Sequence, residues 1–417
     1  MTVAIKTFGC KLNQYESEAL ISRLVALGHA VAEGDDADVL IVNSCTVTKK
    51  SDAKLRQYMN NARLARSYRL IIVTGCYASI HRDESMGDAL IIPNEQKDAI
   101  PVYIDHFSKH GVLPDAADDT YESITADDYQ FHSRAFLKIQ DGCDAFCNYC
   151  IVAHARGVPR STPHEAVLDM VRRLVDDGFG EIVFTGINIG AYKHGDVTLT
   201  ALIERVLPVL GPSRLRISSI EPLSIDEGFI KLMAHPSICR HLHIPLQSAC
   251  DSVLMRMKRR YTAAEYRAVI EKLYRIDGHL SITTDVMAGH PFESGGDAKA
   301  TYDFCKEMRF AKLHVFRYSV REGTPSAQMP QLPDREKSER ARTLAALDIE
   351  LRRNFRESLI GRETAVAVET KGQGYFEGLA SEYMHCTVLT AEDHPERSLV
   401  PVRYVRVNGE TMMCEPL

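Results

Sequence analysis

The sequence predicts a three-part α/β protein: an open parallel α/β sheet, then a partial (β/α)6 barrel, then a small all-β barrel. Three observations carry this. Up to residue 114, continuous apolar tetrads alternate with amphipathic helical stretches, the pattern of a parallel sheet covered on both faces. Across 134–355, six more strand candidates are mostly separated by helical segments, as in a parallel barrel with its loops gathered at the strand carboxyl ends. Across 356–417 the pattern changes to short strands of alternating polarity, which implies a compact β-barrel. Residues 115–133 are acidic and poor in large aliphatics, and read as a linker.

In the first part, strands are expected at 3–7, 39–42 and 70–73, with helices at 16–27 and 52–65. Cys10, Cys45 and Cys76 each lie just beyond the carboxyl end of one of these strands. In an open parallel sheet those ends share one edge, where ligands bind. A single cysteine there is an ordinary buried thiol. Three in register predict a shared metal centre.

In the second part, strands are expected at 136–140, 182–185, 215–218, 242–245, 282–286 and 314–318, and helices at 165–177, 199–210, 263–276 and 298–308. The loop after the first strand reads QDGCDAFCNYC, placing Cys143, Cys147 and Cys150 in a C-x3-C-x2-C triplet with Gly142 to let the chain curl. Three thiolates so spaced can hold three corners of a cubic iron–sulfur cluster. Most such clusters take four cysteines and no fourth follows nearby, so one iron stays open for a ligand. A structural zinc site would need His154 to close it. Later strand ends add polar groups: Gly186 and Gly190 in FTGINIG, Ser218, Ser219 and Glu221 in RISSIEP, Gln247 and Ser248 in HIPLQS, and Asp285, Gly289 and Glu293 in TTDVMAGHPFE. Taken singly, each is ordinary strand-end polarity.

The last part has strands expected at 364–369, 375–380, 386–389 and 400–407, with Arg397, Arg403 and Arg406 near Tyr404 as a possible RNA surface. Hydrophobic content of 45% and charged content of 25% over 417 residues are those of a globular protein with several cores. The first residues enter a strand directly without a leader pattern, and no apolar run is long enough for a bilayer; the expected compartment is the cytoplasm. Eleven cysteines there favour metal ligation over disulfides. Cys239, Cys305, Cys386 and Cys414 are expected to pack as small apolar groups. A net charge of −6 excludes general attraction to nucleic acid, so RNA contacts fall to local patches. Lys258-Arg259-Arg260 is the best candidate for phosphate contact. Arg156 with Arg160 forms another cluster, and the charges of 335–356 fit a self-paired helix face.

The triplet and the ordered strand-end motifs resemble the radical S-adenosylmethionine (SAM) enzymes. The strings TFGCKLNQYESE, VNSCTVT and VTGCYAS resemble the N-terminal domain of the methylthiotransferases within that superfamily, and the last segment resembles the small RNA-binding TRAM domain. The Gly9–Tyr15 string G-C-K-x-N-Q-Y is most similar to the branch acting on N6-threonylcarbamoyladenosine in tRNA. The resemblance implies two four-iron four-sulfur clusters. One, on Cys143, Cys147 and Cys150, binds SAM and yields a 5′-deoxyadenosyl radical. The other, on Cys10, Cys45 and Cys76, is auxiliary and holds or donates sulfur. It also implies that Tyr149 lies near the adenine, that Gly186 approaches the methionine amino group, that Ser219 or Glu221 touches the ribose or methionine, and that Gln247 joins the cofactor site. The implied reaction adds a methylthio group to C2 of the adenosine 3′ of the anticodon, with SAM as radical source and methyl donor. Partners would be the tRNA anticodon loop, a reductant and a sulfur source. Acceptors such as isopentenyladenosine or a ribosomal protein, or a noncatalytic iron–sulfur RNA-binding role, are the alternatives. The chain departs from the family pattern at Gly289-His290-Pro291-Phe292-Glu293, where the family usually reads G-F-P-G-E. It departs again at Ala153, Ala249 and Arg317.

Overall fold

The computed structural model describes residues 1–32, 37–65, 68–84, 86–114 and 133–417. Apart from Ser133, the linker expected at 115–133 lies outside the described residues.

The N-terminal sheet is all parallel, in the spatial order Ala30–Val31, Thr2–Thr7, Val39–Ser44, Leu70–Gly75, Leu90–Ile91. The two edge strands are pieces of two residues, too short to register as a period in the sequence. Val39–Ser44 is buried along its whole length, and alternate side chains feed opposite layers. Val39, Ile41 and Ile72 pack with Leu20, Leu24, Ile100 and Ile104. Leu40, Val42 and Val73 pack with Leu55 and Met59. Helices Lys11–Ala26 and Ile100–His110 therefore cover one face and Lys49–Ala65 the other. Lys11–Ala26 begins earlier than the apolar spacing implies, with Cys10 as its N-cap, because Leu12 and Tyr15 are also buried.

The central part has six parallel strands in two sets of three: Ala135–Lys138, Glu181–Thr185 and Arg214–Ile217, then His241–His243, Ser281–Ala288 and Lys312–Arg317. Isolated parallel bridges, Leu215 to Ile238 and Ser219 to His243, join the sets. The outer strands do not pair with each other among the described residues, so the barrel is open. Helix Asp334–Ser358 covers one outer edge, and Asp348 accepts a hydrogen bond from the Leu313 backbone N–H at 2.8 Å. That carboxylate satisfies a donor that an edge strand would otherwise leave open. The helix expected at 199–210 stops at Val206 and continues as the 3-10 turn Leu207–Val209, since Pro208 has no N–H for the α-helical ladder.

The C-terminal strands, in spatial order Glu363–Gly372, Tyr375–Ala380, His385–Leu389, Thr411–Pro416 and Leu399–Asn408, close into a barrel. It docks on the central part through arginines. Arg214 donates to Leu379 O at 2.8 Å, and Arg216 donates to Ala380 O at 2.9 Å. Both guanidiniums also hold the fully buried Glu181 at 2.6 Å. Burial opposes ionisation there, yet the fields of Arg216 and Arg214 keep the Glu181 carboxyl well below the usual range. No described helix is long and apolar enough to cross a membrane.

Candidate active site

The triplet loop leaves the first barrel strand and ends in the short helix Val152–Arg156. Gly142 has φ +77°, and a Cβ there would run into the Val158 carbonyl, so the turn that starts the loop needs glycine. Cys143 N donates to Gly157 O at 3.0 Å, and Asn148 N donates to Met257 O at 3.1 Å, pinning the loop at both ends. The three sulfurs lie within one another's fields. Ala145 N points at Cys143 Sγ (3.5 Å) and Arg259 Nη1 at Cys147 Sγ (3.3 Å). Burial pushes the Cys150 thiol up to about 11 and raises that of Cys143. Ligation there would release protons, and donors aimed at sulfur favour the thiolate.

Beside the loop is a cavity of about 130 Å³ lined by Cys147, Asn188, Glu221, Arg259 and Tyr261 among others. Glu221 is ion-paired with Arg259, whose guanidinium also lies 4.9 Å from the centre of the Tyr261 ring. The Asn188 Oδ1 and Ser218 Oγ atoms are buried with no hydrogen-bond partner. Buried polar atoms are rarely left so, and Asn188, which lines the cavity, suits a polar ligand such as SAM. Of the residues expected to bind SAM, Glu221 lines this cavity, whereas Tyr149, Gly186, Ser219 and Gln247 lie outside its lining. Tyr149 sets its ring edge against His290 at 6.3 Å. A Cβ on Gly186 would come within 2.7 Å of Gln140 O, so the backbone here approaches another strand end. Ser219 is exposed at the bridge to His243. Gln247 (φ +64°) is a backbone junction, its N–H on Asp285 O at 2.8 Å and its carbonyl taken by Met287 N at 2.9 Å. Sequence reasoning missed Asn188, and it read Arg259 as a phosphate contact. The side chain of Arg259 is only 5% exposed and fully engaged, while Arg260 donates to Asp144 O at 3.0 Å. Arg259 is therefore an internal brace of the loop, while Lys258 and Arg260 remain exposed.

The other three cysteines sit where the strand register puts them. Ser44 pairs with Gly75 and Thr7 with Asn43, so Cys10, Cys45 and Cys76 follow three adjacent strands at one edge. Gly9 (φ +116°) lets the Cys10 turn lie against Cys45: a Cβ on Gly9 would be 3.3 Å from Cys45 Sγ. Burial pushes the Cys45 thiol up to about 11, with smaller contributions from Cys76 and Cys10. The helix Cys76–Ile80 packs on Val152–Arg156, directly after the triplet. Asn94 spans the two, its Nδ2 3.8 Å from Cys76 Sγ and 3.1 Å from Ala155 O.

Two ion groups hold these halves together. Arg156 donates to Glu16 at 2.7 Å, Asp141 at 3.1 Å and Asn13 at 2.8 Å, so it is an interdomain tie and not an RNA contact. Arg321 reaches Asp52 at 2.8 Å and Thr46 at 2.6 Å, beside Cys45. Another expectation also changes. Tyr404 is buried, with its hydroxyl on Glu382 at 2.8 Å, and cannot stack a base. Arg397 lies 4.2 Å from the Phe179 ring centre, and Arg403 pairs with Glu363 at 2.9 Å. Of that trio, Arg403, although paired, and Arg406 are exposed. Cys305, Cys386 and Cys414 are buried as expected, while Cys239 Sγ also points at Glu181 at 3.7 Å.

Comparison with known proteins decides the family. The model described as Uncharacterized protein family UPF0004 matches residues 2–91, and that of the Radical SAM superfamily matches residues 137–305. The Threonylcarbamoyladenosine tRNA methylthiotransferase MtaB of Thermotoga maritima is 35% identical over 378 residues, covering 88% of this chain and 86% of that protein. The Bacillus subtilis protein of the same name is also 35% identical, with 94% and 91% covered. The chain belongs to the radical SAM tRNA methylthiotransferase family. The tRNA-2-methylthio-N(6)-dimethylallyladenosine synthase of Roseobacter denitrificans is 30% identical over 99% of this chain and 98% of its own length. Among solved structures, the radical SAM methyltransferase TsrM of Kitasatospora setae matches with a TM-score of 0.57 at 14% identity, over 78% of this chain and 73% of that one. That likeness concerns the fold. Membership of the radical SAM family implies SAM and a four-iron four-sulfur cluster as cofactors.

The structure accounts for two departures from the family pattern. Phe292, where the family usually has glycine, adopts φ +63° with half its surface exposed. Phe292→Gly is expected to raise stability by about 0.5–1 kcal/mol, the relief of a left-handed side chain less the added freedom of the unfolded chain; the urea midpoint checks this. His290 is fully buried, its ring nitrogens 3.1 Å from Asn148 Oδ1 and 3.2 Å from Pro291 O. Burial lowers its pKa to about 4. Between pH 6.5 and 4 the unfolded chain then binds more protons than the folded one, so this contribution is complete above about 6.5 and falls as pH drops towards 4. His290→Gln is expected to flatten the unfolding midpoint against pH in that window.

Proposed function

We propose that the chain methylthiolates C2 of N6-threonylcarbamoyladenosine beside the tRNA anticodon, in the cytoplasm, with a cluster on each cysteine trio. One observation carries this reading: the helix that begins with Cys76 packs on the helix that follows Cys150, which supports two trios set on the two sides of one domain junction. An aromatic C–H has no acidity or leaving group that side chains can exploit, so cofactors must carry the hard step. When bound, the clusters and SAM would supply hydrogen abstraction at one trio and the sulfur and methyl group at the other.

The chain's own residues have geometric tasks. Cys143, Cys147 and Cys150 would hold the SAM cluster on the loop that Gly142 bends, and Arg259 braces that loop against Glu221. Asn188 Oδ1 and Ser218 Oγ stand ready for polar groups of SAM, with Tyr149, Gly186, Ser219 and Gln247 as further candidates. The Arg156–Glu16 and Arg321–Asp52 ties fix the distance between the trios. A base presented there must be unstacked, the usual state of recognised tRNA loop bases. A reductant and a sulfur source complete the set of partners.

Nucleoside mass spectrometry of tRNA from a deletion strain tests the acceptor. Loss of 2-methylthio-N6-threonylcarbamoyladenosine is expected, restored by the wild-type gene. Loss of the isopentenyl counterpart instead would favour the second reading, which rests on the 30% identity to the dimethylallyladenosine synthase. Absence of 5′-deoxyadenosine from reconstituted, reduced protein with SAM would point to a noncatalytic RNA-binding role.

A further inference from the structure

Lys11 follows Cys10 directly and opens helix Lys11–Ala26. Its ammonium lies 4.6 Å from the centre of the Tyr383 ring and meets no carboxylate among the described residues. Tyr383, from the C-terminal barrel, stacks on His241 at 4.5 Å and 16°. From His241 a polar wall runs over the half-barrel: Thr283 Oγ1 is 3.1 Å from His241 and 2.9 Å from His243. His243 lies 3.3 Å from Asp285 and 5.3 Å, ring to ring, from His314. These side chains occupy alternate positions of paired strands, the face opposite Leu242 and Ile282, which point into the apolar core. Burial keeps His241 neutral and lowers His314 to about 4, so neither carries charge near neutrality. The wall is polarised, with Lys11 positive at one end and Asp285 at the other.

We propose that Lys11 is a specificity-determining residue that receives the carboxylate of an anionic substituent on N6 of the acceptor adenine. The inference rests on the acceptor reading above and adds how that acceptor is chosen. A half-buried cation with only aromatic partners is costly until an anion arrives. In N6-threonylcarbamoyladenine the outer urea N–H bonds to ring N1, and this turns the threonyl arm along the edge that carries C2. A carbon presented to the Cys10 trio therefore brings its carboxylate towards Lys11, while Asp285 and the neutral histidines offer partners to the hydroxyl. An isopentenyl group has no charge and leaves the ammonium unmet.

The test compares two synthetic anticodon stem-loops that differ only in the threonyl carboxylate, as free acid or methyl ester, in the reconstituted enzyme. The wild type is expected to favour the acid by about 10- to 100-fold in kcat/KM, the usual worth of a charge-assisted bond. Lys11→Gln should treat the two alike by losing rate on the acid, and Lys11→Arg should keep most of the preference. Equal treatment by the wild type overturns the proposal, and that comparison needs no variant. A Lys11→Gln loss that is equal on both RNAs and accompanied by lower iron per chain also overturns it, since Lys11 would then serve the cluster. If the wild type modifies neither RNA but does modify an isopentenyl stem-loop, the acceptor reading itself falls and takes the inference with it.

Discussion

Replacing Cys45 and Cys76 together by serine is expected to abolish methylthiolation of tRNA, reducing the product to background. Reductive cleavage of SAM should continue. Iron per chain should fall by roughly half, as expected when one of two four-iron clusters loses its ligands. Both thiols are nearly inaccessible, at 8% and 5% exposure, and serine is close in volume, so the sheet should survive. The N-terminal edge and the triplet loop share ion ties but no ligand residue, which is why one activity can be lost without the other. Retention of methylthiolated nucleoside by the double variant would overturn the assignment of a sulfur role to this trio, whatever its iron content. Serine at Cys143 should instead remove both activities.

The second large effect is expected at Glu16, which sits under the junction of the two parts. Lys97 reaches it at 2.5 Å, Arg156 at 2.7 Å and Lys138 at 3.7 Å. Burial opposes ionisation, but the fields of Arg156, Lys97 and Lys138 hold the carboxyl well below the usual carboxylate range. Glu16→Gln would leave Arg156 and Lys138 to share Asp141 and take from Lys97 its ion partner, and breaking a buried ion group in this way costs about 3–5 kcal/mol. Urea unfolding measures the loss. Because the folded pKa is depressed, the stabilisation is complete above the unfolded value and is lost as pH falls through the folded one. The variant's stability should accordingly depend less on pH on the acid side. An unchanged midpoint would mean that the tie does not bear on folding. Loosened coupling should also appear as SAM cleavage without sulfur transfer, since this tie keeps the Cys76 helix near the triplet.

Much of the architecture was legible because burial writes periods into sequence. Val39-Leu40-Ile41-Val42 is apolar at every position since both faces of that strand are covered, and the C-terminal strands alternate since one face of each looks inward. The triplet was legible for a different reason: its ligands are neighbours in the chain. The first trio required a further step, from strand ends to a shared edge, and parallel register made that step valid. Charged residues were read less well. Arg259 and Tyr404 looked like groups suited to RNA and Arg156 like part of a basic cluster, but each is held by a partner far away in the chain. No spacing rule announces a partner at such a distance. Phe292 is the converse: in the sequence it was only a departure from the family pattern, and the structure shows a backbone conformation that favours glycine.

Sequence alone determined the three-part order, the two cysteine trios and the family to which their motifs point, because these depend on local periodicity and on ligands set at strand ends. Only the tertiary structure decided which basic groups are internal ties, which polar atoms face the cavity beside Cys147, and that Lys11 meets the histidine wall through Tyr383. Those outcomes turn on how separate elements dock. Docking energy comes from pairings such as Glu16 with Arg156 or Glu181 with Arg216, whose members are remote in sequence and become neighbours only when the chain has folded.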